Sequence, residues 1–179
     1  MKKLNENMGT TYNSSGMFDG NWDATLFFEE LTRKNRLAQD KGFKFCRVSG
    51  MEGFQEVLAS MQSAKAFVCV NEIAQGYTSL DNSPMTRRVK TVFLAMRHKI
   101  DDMKARQNRF DVLRELFRQY MTVLIKEKTK LEEHCIELDR RITFHEIDEY
   151  FFSGCACAYF SVAVDVHTDL RYDKHEWIE

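Results

Sequence analysis

The chain reads as an α+β domain, because short β-forming runs alternate with segments of helical periodicity and one of those helices is long and charged. Three features carry that reading. The largely apolar run Val89 to Met96 leads into a charged amphipathic stretch over 101–134; Leu138 to Phe144 and the alternating Tyr159 to Val166 follow it; and two further β-rich runs, at 43–48 and 66–73, precede it. The expected architecture is a mixed or antiparallel sheet of four to five strands, flanked by two or three helices with one of them long. Residues 1–21 form a disordered, mobile arm in this reading, and 22–179 a single domain.

The arm is inferred from composition. It is rich in Asn, Ser, Thr and Gly, and its scattered Tyr12, Met17 and Phe18 cannot bury enough surface to offset ordering entropy. A first helix is expected over 23–38, with Asn21 or Asp23 as cap and Leu26, Phe27, Leu31 and Leu37 near helical spacing; Gly42 ends it. Phe43, Phe45 and Arg47 alternate with Lys44, Cys46 and Val48, an extended pattern closed by Ser49 and Gly50. Phe54, Val57, Leu58 and Met61 predict a helix over 51–63, and 66–73 a strand rich in β-formers.

Residues 76–86 hold the chain's only proline, Pro84, after Asp81, Asn82 and Ser83, and read as a surface loop. A strand over 89–97 follows. The long helix begins near Asp101 and Asp102, whose charge suits a helix N-terminus. Its stripe is Met103, Phe110, Leu113, Phe117, Tyr120, Met121, Leu124, Ile125 and Leu131. At about 1.5 Å per residue it would reach on the order of 45 Å, more than a compact domain needs, so its end is expected to project or to break near 126–130. The stretch 143–152 is open between two forms. Thr143 and Glu146 stand at capping-box spacing, yet Leu138 to Phe144 favours extended structure, which is preferred. From Tyr159, Phe160, Val162, Val164 and Val166 share one strand face, and Tyr159, Ser161, Ala163, Asp165 and His167 the other.

Charge and cysteine content exclude more than they assign. With 26 basic and 27 acidic side chains the net charge is −1, so no global field favours nucleic acid or an anionic membrane. The longest uncharged run, 150–164, is too short to span a bilayer as a helix and reads as core. Five cysteines make no disulfide framework and suit a reducing cytoplasm, and Asn5, Glu6 and Asn7 stand where a signal peptide needs apolar residues.

Cys155 and Cys157 would share a strand face, with His145 or His167 conceivable partners for a metal. Packing of small side chains is the favoured reading, and no metal and no cofactor is assigned. No histidine stands in a nucleophile-elbow context, and adjacent carboxylates such as Asp148 and Glu149 diverge, so no catalytic residue is assigned. Gly50-Met51-Glu52-Gly53 lacks the Lys-Ser/Thr of a phosphate loop and reads as a tight connection.

The densest basic features are Arg87, Arg88 and Lys90, with Arg97, His98 and Lys99 beyond them. A solvated or subunit-contact edge is favoured over nucleic acid. Arg87, Arg88 and Lys90, with Tyr77 and Leu80 of the neighbouring loop, are the candidate partner-contact residues.

The order helix, strand, helix, strand, loop, strand, long helix and closing β-structure resembles that of the tail-completion or tail-terminator proteins of tailed phages. The stretches behind the likeness are Phe-Lys-Phe-Cys-Arg-Val-Ser-Gly at 43–50, Ala-Phe-Val-Cys-Val-Asn-Glu at 66–72, Val-Lys-Thr-Val-Phe-Leu-Ala-Met-Arg at 89–97 and Tyr-Phe-Ser-Val-Ala-Val-Asp-Val at 159–166. The resemblance is one of pattern and carries over no functional residue. It implies a non-enzymatic structural subunit that forms a homo-oligomeric ring and joins other tail or neck proteins, cytoplasmic during assembly and then part of the virion, with no membrane partner. The alternative is a cytoplasmic α/β enzyme or small-ligand-binding domain with a site near Asn71, Glu72, Arg87 and Arg97.

Overall fold

The computed structural model describes residues 22–99, 102–147 and 154–178. The proposed arm at 1–21 and Asp101 lie outside the described residues. Asp23 caps the first helix, its carboxylate accepting from the Thr25 and Leu26 amides. The single helix expected over 23–38 is two: α1, Ala24–Lys34, and α2, Arg36–Lys41. Asn35 divides them. Its backbone is extended, and its side-chain oxygen accepts from the Ala38 amide at 2.8 Å, so the amide group offers the backbone a cap in place of a further helical turn. Gly42, at φ 69°, closes α2 in the left-handed conformation.

The remaining elements are β1 Phe43–Val48, α3 Gly50–Ser60, β2 Ala66–Asn71, β3 Gln75–Thr78, β4 Met85–Arg97, α4 Met103–Glu133, β5 Ile136–Leu138, β6 Phe144–Ile147 and β7 Cys155–His167, before a 3-10 turn at Lys174–Glu176. The protein is α+β, with one mixed sheet of seven strands among the described residues. The segments outnumber the expected strands because they fill only five lanes. β2 and β3 lie end to end along one side of β4, and β5 and β6 along the outer side of β7. β1 pairs with β2 in parallel through the α3 crossover; the other pairings are antiparallel.

The loop expected over 76–86 is a hairpin. Tyr77 pairs with Arg87 and Thr78 with Thr86, and only 79–84 make the turn. A Cβ at Gly76 would collide with the Arg87 carbonyl, so this lane requires glycine to pair at all. The strand at 138–144 is also divided. Past Leu138 the Asp139 amide still donates to Ala163 of β7, but its carboxylate accepts from the Arg141 amide and pairs with Arg87, which turns the chain out of the strand. Residues 144–147 are strand and not the start of a helix, while 148–153 lie outside the described residues.

β4 and β7 pair along their full 13 residues, a ribbon of about 44 Å at roughly 3.4 Å per residue. The 31 residues of α4 measure about 46 Å. The helix therefore neither projects nor breaks. It runs the length of the ribbon, and near its end Leu131 is buried with Ile136 and Leu138 of β5. Its buried stripe is Phe110, Leu113, Leu116, Tyr120, Leu124 and Leu131; Met103 and Ile125, assigned to the stripe from sequence, are exposed. Ile125 follows Leu124 by about 100° around the helix, enough to carry it off the contact.

Two cores result. α1, α2 and α4 cover one face of the sheet, where Val68, Val70, Val92, Leu94, Ala158, Phe160 and Val162 pack against Phe28, Leu113 and Tyr120. α3 covers part of the opposite face, over Phe67, Cys69, Phe93, Ala95, Cys155 and Cys157.

Candidate functional site

Neighbouring residues of a strand point to opposite faces, and this splits the basic run of β4. Arg88 and Lys90 emerge on the face covered by α1 and α4, where they line a cleft of about 480 Å³ with Arg47 of β1, Glu72 after β2, and Trp22 and Asp23 at the root of α1. Val162 and Val164 form an apolar floor. Lys90 Nζ donates to the Glu72 carbonyl, and Arg47 bridges Glu29 at 3.1 Å and Glu72 at 4.0 Å. Arg88 stands exposed at the rim with no ion pair among the described residues. The cleft thus gathers three cations around two carboxylates and an apolar floor. A guanidinium in that setting suits a carboxylate or phosphate oxygen. The α1 N-terminus does not add to it, since Asp23 already occupies the first amides.

Arg87 turns to the other face and is neutralised there. It pairs with Asp139 and, at 2.8 Å, with Asp165 of β7. The hydrogen bond to Asp139 is the main reason its guanidinium holds its proton more tightly than usual. The Asp139 carboxyl is held below the ordinary range, first by the Arg141 amide and then by Arg87. Tyr77 is opposite Arg87 in register and exposed, and Leu80 at the hairpin tip is 86% exposed. The five predicted contact residues therefore divide three ways, between cleft, opposite face and tip.

The four residues of the alternative site do not converge. Asn71 Oδ1 accepts from the Gly50 and Ile73 amides and fixes the turns around it. Arg97 lies at the far end of β4, where its guanidinium donates to the Leu58 carbonyl in the last turn of α3 and to the Met61 and Ala64 carbonyls just past it. That is a helix C-terminal cap. Only Glu72 belongs to the cleft. Arg47 and Trp22 were not legible as its partners, because they reach it from other lanes of the fold. Cys155 and Cys157 pack beneath α3, His145 stacks on Tyr159 at 4.9 Å, and no group of three or more His, Cys, Asp or Glu is placed to hold a metal among the described residues.

A second exposed region lies at the hairpin end of the ribbon. Thr168, just past β7, donates its amide to the Pro84 carbonyl and its hydroxyl to Thr86, which ties the root of the C-terminal segment to the hairpin. The segment beyond carries Leu170, Tyr172, Trp177 and Ile178, all exposed, with Trp177 63% exposed and stacked on Tyr172. Compared with protein-family models and with curated proteins, the chain matches none. No described helix is long and apolar enough to cross a membrane.

Proposed function

We propose that this chain is a non-enzymatic structural subunit that works by associating with copies of itself and with other protein surfaces, using the hairpin tip and the C-terminal segment as contact elements. The supporting observation is the set of apolar side chains left in water on two elements rooted together: Tyr77 and Leu80 on the hairpin, and Leu170, Tyr172, Trp177 and Ile178 on the segment that Thr168 anchors to it. Grouped exposed aromatic and aliphatic residues are what protein contacts use. Within this reading, the order of elements that resembles tail-completion proteins argues for a ring that caps a tube and joins it to neck or tail partners. Head-to-tail contacts between unlike surfaces would close such a ring.

Light scattering coupled to gel filtration across a range of concentrations tests the assembly. The expected result is a concentration-dependent oligomer that Leu80→Ser with Trp177→Ser converts to monomer without loss of the circular dichroism of the fold. A monomer at every concentration, or an oligomer indifferent to both substitutions, refutes it.

The cleft favours a second reading, a domain that binds a small anionic ligand between Arg47, Arg88 and Lys90. A ligand present at a hundred times its dissociation constant would add about 2.7 kcal/mol of stability, which a thermal-shift screen of carboxylates and phosphates would read.

A further inference from the structure

Four of the five cysteines gather in the core beneath α3, and two of them face each other directly. Cys46 of β1 is the register partner of Cys69 of β2. Adjacent strands lie about 4.8 Å apart, inside the Cα separation of about 4.4–6.8 Å that a disulfide accepts. The Cβ atoms must come to about 3.5–4.5 Å, so the strands have to close by up to roughly 1 Å. β1 can do so because it is the edge of the sheet and is hydrogen-bonded on one side only.

The two thiols differ in access and in acidity. Cys46 is partly exposed, with its Sγ 3.7 Å from the sulfur of Met61, itself at the surface; Cys69 is buried. A hydrogen bond from the Cys69 thiol holds the Cys46 sulfur down to about 7, while giving that bond, and burial, push Cys69 far up. A nucleophile open to solvent thus stands beside a protonated resolving thiol, the arrangement that two-step thiol oxidation needs.

We propose that Cys46 and Cys69 are a peroxide-responsive pair that closes to a disulfide between the edge strand and its neighbour. The Cys46 thiolate attacks one oxygen of a peroxide; the S–O bond forms, the O–O bond breaks, and the leaving hydroxide takes a proton to become water. The sulfur, oxidised by two electrons, is then a sulfenic acid. Cys69 displaces its hydroxyl, forming the S–S bond, and the Cys69 proton leaves with that hydroxyl as a second water. The other cysteines are poorer candidates. Cys155 and Cys157 are two apart on one strand, about 6.8 Å at the strand rise, with Cys157 fully buried, and Cys135 is exposed without a described thiol beside it.

The test treats the reduced full chain with one equivalent of hydrogen peroxide at neutral pH, blocks the remaining thiols and maps tryptic fragments. Fragment 45–47 should be joined to fragment 66–87, with the intact mass lower by about 2 Da and the change reversed by a dithiol. Cys69→Ser should leave a sulfenic acid at Cys46 that dimedone traps. A principal bridge between Cys155 and Cys157, a dimer linked through Cys135, or a Cys46 that still alkylates fully after peroxide overturns the proposal. The wild-type map decides the matter even if the variant does not fold.

Discussion

The contact between α1 and α4 turns on two buried hydroxyls, and their unequal roles give a signed prediction. Thr32 and Tyr120 are 2% and 1% exposed, and their oxygens are 2.8 Å apart. Thr32 has one proton, which it gives to the Phe28 carbonyl at 2.7 Å, so Tyr120 is the donor of the pair. Tyr120→Phe removes that donor and leaves Thr32 still bonded to Phe28, a loss of about 1 kcal/mol. Thr32→Val instead strands the Tyr120 hydroxyl in the core with no acceptor, which costs about 2 kcal/mol, while the Phe28 carbonyl keeps its helical amide. The double variant has no stranded group and should lose about 1 kcal/mol less than the sum of the two single losses. Urea unfolding of all four proteins at pH 7 reads these differences. The reasoning fails if Thr32→Val costs no more than Tyr120→Phe, or if the losses simply add. Burial also pushes the Tyr120 hydroxyl up. A folded-state value raised above the unfolded one gives stability that is intact below about pH 10 and fades as pH rises further. The advantage of wild type over Tyr120→Phe should therefore shrink above that pH.

Two further substitutions follow from local geometry. Cys135, just after α4, has φ 58° and is exposed, a left-handed conformation that a β-carbon disfavours, so Cys135→Gly should stabilise the fold by about 0.5–1 kcal/mol, read as a higher urea midpoint. Arg87→Ala should cost about 1 kcal/mol at pH 7, because its partners are only a quarter to a third exposed. Asp139 is held below its unfolded value, so its share is present above about pH 4 and lost as pH falls through the lowered folded value. The gap between wild type and Arg87→Ala should narrow at pH 3, and an unchanged gap would sink the assignment.

The long-range plan of the fold was legible where pattern and burial coincide. Phe43 to Val48, Ala66 to Asn71 and the even residues from Phe160 to Val166 declare strands because their buried positions are apolar. β3 was not legible, since all four of its residues are exposed and Gln75 and Gly76 carry no β-signal of their own; β4 supplies its pairing. Asn35 was hidden inside a helical periodicity that continues on both sides of it. For the site, alternation alone could have parted Arg87 from Arg88. That Arg47 and Glu72 join Arg88 in one cleft depends on lane order, and local sequence does not state which strand lies beside which.

Lane length explains why the two ends of one sheet face differ in chemistry. α3 has 11 residues and covers about 16 Å, while the β4–β7 ribbon beneath it runs for about 44 Å. Under α3 the outward residues are Phe93, Ala95, Cys155 and Cys157, all buried. Beyond its reach the same register carries Arg87, Thr91, Ser161 and Asp165 around the apolar pair Val89 and Ala163, tied by the Thr91–Ser161 hydroxyl contact at 3.2 Å and the Arg87–Asp165 bridge. Charges and hydroxyls enter the face only where the helix stops, as expected where the uncovered half meets water. A half-face that carries the Arg87–Asp165 bridge and the Thr91–Ser161 hydroxyls is a poorer seat for an apolar partner than the hairpin tip and the C-terminal segment, the surfaces on which the proposed self-association rests.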